Sequence, residues 1–214
     1  MKHQNKYNYK KIALVISLCV LIVWSALGAG TSLAWFSDSS TEIKNIVNVA
    51  KFDLDVTFRQ KNGEYAPIND RTDVFDEKAL YEPGYTQIVF LRLKNNGTVD
   101  FDYQTAVIIQ ESIIGTNLFG QPLNLLEHLR YGVVTADSEA ELTERLKDRP
   151  SAQAVATQPL NDYYSTLAPL AAGKTKFVAL IVYMPENVGN EANYRGLPQP
   201  KVKLGVSVTA TQQQ

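Results

Sequence analysis

The stretch Lys201-Val202-Lys203-Leu204-Gly205-Val206-Ser207-Val208-Thr209-Ala210-Thr211 sets Val202, Leu204, Val206, Val208 and Ala210 at every second position. A period of two puts those five side chains on one face of an extended chain, which predicts a half-buried β-strand. Lys51 to Phe58 repeats the pattern, with Phe52, Leu54, Val56 and Phe58 on one face and Asp53 and Asp55 turned to solvent. Thr86 to Lys94 (TQIVFLRLK), Phe101 to Gln110 (FDYQTAVIIQ) and Thr175 to Met184 (TKFVALIVYM) add three apolar runs rich in β-branched residues, and Leu129 to Thr135 a shorter one. Asn95-Asn96-Gly97 separates the first two of these. Asn-Gly takes positive φ easily, so that pair is expected to form a hairpin.

One helix is expected. Ser138 followed by Glu141 is a capping-box pattern, Leu142 and Leu146 lie one turn apart, and Pro150 is read as its end. Ser151 to Leu170 is rich in Ala, Gln, Pro and Ser and reads as loop, with Gly173 as a turn before the next strand. Many strands, one peripheral helix and no alternating βα rhythm predict an all-β, antiparallel, jelly-roll-like sandwich.

The charge is unevenly placed. The chain has 214 residues and a formal net charge of -1, yet Lys2, Lys6, Lys10 and Lys11 precede the apolar run Ile12 to Ala29, and the first 34 residues hold no acid. That is the n-region and core of an export signal, and Ser32-Leu33-Ala34 offers the small residues a signal peptidase selects. Cleavage is expected between Ala34 and Trp35. The alternative is a retained anchor, since a span needs roughly 17–25 apolar residues. Cys19, the one cysteine, follows Leu18 rather than the small residue of a lipidation site and belongs to the apolar core of the leader. The exported chain, Trp35 onward, then has no disulfide and carries a net negative charge, which gives no reason to expect nucleic acid as a partner.

Chemistry-bearing groups are sparse. His128 is the sole imidazole downstream of the leader, without a Gly-x-Ser-x-Gly elbow or a His-Glu-x-x-His helix. A lone histidine without partners is expected to be structural. Asn69 to Glu77 clusters oxygen ligands, with Asp70, Asp73 and Asp76 as calcium candidates, but lacks the ligand spacing and central glycine of a helical calcium loop and is read as a solvated acidic turn. No cofactor is expected. Asn96-Gly97-Thr98 matches a glycosylation sequon that its turn role already explains.

The junction Gly28-Ala29-Gly30-Thr31-Ser32-Leu33-Ala34-Trp35-Phe36-Ser37-Asp38 resembles the export signal of the TasA/camelysin (CalY) family, whose members are cleaved by a SipW-type signal peptidase. Asn48-Val49-Ala50-Lys51-Phe52-Asp53-Leu54 is similar to the family's entry into its first strand, with Phe52 for the usual Leu and Ala50 for the usual Gly. Glu82-Pro83-Gly84, Lys94-Asn95-Asn96-Gly97, Asn193-Tyr194-Arg195-Gly196 and Thr209-Ala210-Thr211-Gln212 resemble further family stretches in the same order, while 113–170 matches none. The resemblance implies a jelly-roll domain secreted to the cell surface or biofilm matrix and self-associating into fibres, alone or with an accessory matrix protein. Some relatives are described as peptidases, whereas this chain shows no zinc-ligand signature.

Three segments follow: a leader at 1–34, an N-terminal assembly segment at 35–50 and a sandwich at 51–214. The assembly segment, with Ile43, Ile46, Val47 and Val49, is expected to add as a strand to the open sheet edge of the next subunit. Such head-to-tail contacts do not close and yield filaments. The alternatives are that it pairs within its own subunit or is disordered. A monomeric surface adhesin with specificity in Ser112 to Leu125 and Ser151 to Leu170, or a hydrolase using His128 or a loop carboxylate, are the competing functions.

Overall fold

The computed structural model describes residues 45–48, 53–60, 63–69, 72–160, 163–194, 196 and 198–212, all within the unit Ile43–Gln214. Two sheets face each other. The first runs β1 (Asn45–Asn48), β13 (Lys201–Gln212), β5 (Phe101–Ile113), with β10 (Tyr163–Tyr164) and β11 (Ala168–Leu170) both on the far side of β5. The second runs β3 (Ala66–Pro67), β2 (Leu54–Gln60), β4 (Thr86–Asn95), β12 (Thr175–Tyr183), β8 (Arg130–Ala136), β9 (Gln158–Pro159). Within both sheets every pairing is antiparallel except β1 with β13. The chain is an all-β, jelly-roll-like sandwich. Among the described residues no helix is long and apolar enough to cross a membrane.

The period-two residues do what the alternation predicts. Val202, Leu204, Val206 and Val208 of β13 meet Leu54 and Val56 of β2, Val89, Leu91 and Leu93 of β4 and Val178, Leu180 and Val182 of β12 in one core between the sheets. Ala210 is half-buried against it, and Phe52 lies outside the described residues. The central strands of the second sheet are apolar on both faces, because Phe90, Val134, Ala136, Ala179 and Ile181 pack outward against Leu142, Leu146, Ala152 and Ala156. Two-sided burial explains the unbroken apolar run Val178 to Val182.

The hairpin expected around Asn95-Asn96-Gly97 is not there. β4 and β5 lie in different sheets, and the turn carries the chain from one layer to the other. Gly97 does not take positive φ, so the property that makes Asn-Gly a hairpin turn goes unused. Instead Asn95, fully buried, donates from Nδ2 to the carbonyls of Val99 (2.9 Å) and Leu170 (3.1 Å), while its Oδ1 accepts from Gly97 N (2.9 Å). Its side chain pins the corner across both layers.

The single expected helix is a pair. Ser138 caps α2 (Glu139–Arg145) by accepting from Glu141 N, and Leu142 and Leu146 are buried as their spacing requires. That helix stops before Pro150. Pro150 belongs to the first turn of α3 (Arg149–Val155), capped by Asp148, where proline's missing N–H costs nothing. The stretch read as loop after Ser151 therefore holds most of a helix, as well as β9, β10 and β11. A third, one-turn helix, α1 (Leu125–His128), precedes β8.

Glu82-Pro83-Gly84-Tyr85 forms a tight turn in which Tyr85 N donates to Glu82 O at 2.9 Å and Gly84 has φ 85°. Proline followed by a left-handed glycine is the type II arrangement. Gly173, φ 70°, turns the chain into β12 as its position suggests.

Candidate functional site

β13 lies next to the end of the first sheet. β5 covers one side of it along its whole length, from Lys201↔Ile113 to Gln212↔Phe101. On the other side, among the described residues, stands β1 of the same chain, parallel and only four residues long, with Asn45↔Val206, Ile46↔Ser207, Val47↔Val208 and Asn48↔Thr209. Parallel ladders are slanted and slightly weaker per residue than antiparallel ones. Ile46 and Val47 thus lie on the β13 edge. Ile43, Val49, Ala34 and Trp35 lie outside the described residues. The portion of β13 ahead of Val206 carries Lys201 and Lys203, charged residues of the kind that discourage indiscriminate strand pairing, while the bulge opposite Lys203/Leu204 leaves its extra residue, Gln110, on β5. Lys203 Nζ sits 3.6 Å from Glu111 and 3.9 Å from Glu77.

At the Lys201 end of that edge the chain forms a stiff apolar tip. β5 ends at Ile113, and β6 (Gly115–Thr116) pairs with β7 (Pro122–Leu123). Asn117, 8 % exposed, holds the turn between them: its Oδ1 accepts from Phe119 N (3.0 Å) and Gln121 N (2.9 Å), and its Nδ2 donates to Glu191 O (3.3 Å). Leu118 N donates to Asn193 O and Thr116 N to Pro198 O, and a Cβ on Gly115 would lie 2.2 Å from Pro200 N. Yet Ile113, Ile114, Leu118 and Phe119 remain exposed, Phe119 by 62 %. Leu118 and Phe119 are on the hydrogen-bonded turn itself, and Ile113 and Ile114 lie at the base of the hairpin. The sequence held a signal for it, Leu118-Phe119 between Asn117 and Gly120, which the reading by periodicity passed over because turns have no period.

Asp70 lies outside the described residues, and Asp76 accepts from Lys78 N (2.9 Å) within its own turn. No group of three or more His, Cys, Asp or Glu side chains suited to a metal occurs among the described residues. Asp76 instead lines a recess of about 230 Å³ with Gln60, Thr86, Gln87, Leu146 and Arg149.

His128 lines a wider cleft of about 410 Å³ together with Arg130, Tyr183, Asn187 and Glu191. Arg130 Nη1 donates to the carbonyls of His128 (3.0 Å) and Leu129 (3.1 Å), so much of its donor capacity closes the end of α1. The cleft is polar and open, suited to hydrogen-bonding a hydrophilic ligand.

On the outer face of the second sheet, the Arg59 guanidinium lies 4.1 Å from the centroid of Phe90 and pairs with Glu139 at 2.8 Å. Arg92 bonds Thr57 Oγ1 at 3.1 Å and stands 5.0 Å from the Tyr65 ring. Burial, with Glu139 adding, pushes the Tyr65 phenol above its usual range against the pull of the two arginines. This cluster clamps α2 onto the sheet. Between the sheets, burial and then Asp137 push the Tyr103 phenol up to about 12. Lys176 bonds Asp137 and holds its carboxyl below the usual range.

No family model matches the chain, and no curated protein matches it. Solved structures similar to it include the CBM3a-L domain with flanking linkers from the scaffoldin CipA of the Clostridium thermocellum cellulosome, at 11% identity and TM-score 0.25 over 72% of this chain and 84% of that one. A family 123 glycoside hydrolase from Clostridium perfringens matches at 10% identity and TM-score 0.22 over 59% of this chain, which spans about a fifth (21%) of that one. Neither likeness informs the chemistry.

Proposed function

We propose that the chain is a secreted structural subunit of cell-surface or biofilm-matrix fibres, as its resemblance to the TasA/camelysin family implies. In this reading a SipW-type signal peptidase cuts between Ala34 and Trp35. The mature N-terminal segment, 35–50, then passes to the β13 edge of the next subunit. The observation that carries the reading is the pairing of β1: four residues, parallel, at the end of a sheet, joined to β2 by only 49–53. Exchange of such a strand between copies replaces its backbone bonds like for like, which is what makes swapping a low-cost route to assembly. Ile43, Val47 and Val49 share one side of the donated strand by period two, with Ile46 on the other. No cofactor is required.

A synthetic peptide of residues 35–50 tests the exchange. Added to the polymerising chain that begins at Trp35, it should occupy β13 edges and shorten or abolish fibres in proportion to its concentration. Fibre growth indifferent to an excess of the peptide contradicts the exchange.

A second reading, a monomeric surface binding module, draws support from the polar cleft holding His128, Arg130, Tyr183 and Glu191. Saturable binding of a soluble glycan, lost on Tyr183→Ala in a protein that stays monomeric, would favour it. A camelysin-like peptidase reading would need catalytic partners for His128, and peptide hydrolysis lost on His128→Ala is its test.

A further inference from the structure

Resting on that fibre reading, we propose that the exposed tip of the β6–β7 hairpin is the docking site for the aromatic end of the donated segment, Trp35-Phe36, of a second copy of this chain. Three observations converge on it. First, β1 is parallel to β13, so the residues ahead of Asn45 in a strand of that register run from Val206 back toward Lys201 and the tip. Continuing the register pairs Ile43 with Leu204 and Glu42 with Lys203, an apolar match followed by an opposite-charge match. Second, the length fits. Lys201 stands opposite Ile113, the residue from which the tip departs. The ten residues from Trp35 to Asn45 reach about 33 Å when extended at roughly 3.3 Å each, about half of it beyond Lys201. Third, the turn fixed by Asn117 presents Leu118 and Phe119 to solvent, Ile113 and Ile114 at the base of the hairpin are exposed too, and the strand that would arrive there begins with two large aromatic residues. A preformed apolar platform of this kind takes an aromatic anchor with little ordering cost.

The backbone exchange of β1 replaces like with like. Docking on the tip adds an apolar contact near the start of the donated strand, and Glu42 opposite Lys203 favours one direction of approach.

Trp35 is the only tryptophan downstream of Trp24, so fluorescence of fibres grown from the chain that begins at Trp35 reports this contact alone. Emission in the fibres should be blue-shifted and protected from a soluble quencher, and Leu118→Ser with Phe119→Ser should move it to longer wavelength and raise the concentration needed for assembly. Both substituted residues are exposed, so circular dichroism should show an unchanged fold. In a second measurement, Glu42→Cys in one preparation is mixed with Lys203→Cys in another. The exported chain is otherwise free of cysteine, and the mixture should yield a disulfide-linked heterodimer on oxidation, while Glu42→Cys mixed with Thr211→Cys should not. Fibres whose Trp35 emission is solvent-like, or unchanged by the tip substitutions, overturn the docking while leaving strand exchange intact. A chain beginning at Trp35 that forms no fibres overturns both.

Discussion

Asn95 shows how one side chain decides a connection. Three hydrogen bonds from a fully buried carboxamide tie the end of β4 to Gly97, Val99 and the end of β11. Asn95→Ala leaves buried carbonyls without a donor, which should cost about 3 kcal/mol and lower Tm by roughly 10 °C in a thermal scan. Gly132 makes a different demand: an added Cβ would lie 2.7 Å from Ala156 Cα and from Val155 O. Gly132→Ala should therefore cost about 2 kcal/mol or more by forcing α3 off the sheet, readable in urea unfolding. Tyr103 gives a pH signature. Its folded value near 12 exceeds its ordinary 10.0, so the folded state holds the phenolic proton where the unfolded chain has lost it. That stability is whole below about pH 10 and is lost as pH rises through about 12. Burial raises Tyr81 in the same direction. Denaturant midpoints should fall over that alkaline window, and Tyr103→Phe should flatten the fall.

The elements divide into those whose residues announce them and those set by partners far along the chain. β13 was legible because one face is core and the other is not, and so was β2. The capping of α2 was legible because Ser138 and Glu141 are local partners, and Ser138→Ala should cost about 1 kcal/mol of stability. Leu142→Ala, at a fully buried position under the second sheet, should cost about 3 kcal/mol, measured by the same unfolding. The hairpin at Asn95-Asn96-Gly97 was misread because the choice between turning back and crossing layers rests on Leu170, seventy-five residues away. Pro150 was misread because a proline that ends one helix and one that begins the next look alike until Asp148 is seen capping. The exposed tip escaped notice altogether: its four apolar residues follow no period, and their exposure is a property of the folded chain.

At the scale of the molecule, β13 has a full-length partner on one side and, among the described residues, a four-residue partner on the other. In the proposed fibre, the β1–β13 pairing is where packing within one copy passes over into assembly between copies. The most direct measurement is negative-stain electron microscopy of the chain beginning at Trp35 beside one beginning at Lys51, both checked for fold by circular dichroism. The account predicts ordered fibres from the longer chain and none from the shorter. Monodisperse particles from both, or the same fibres from both, would contradict it.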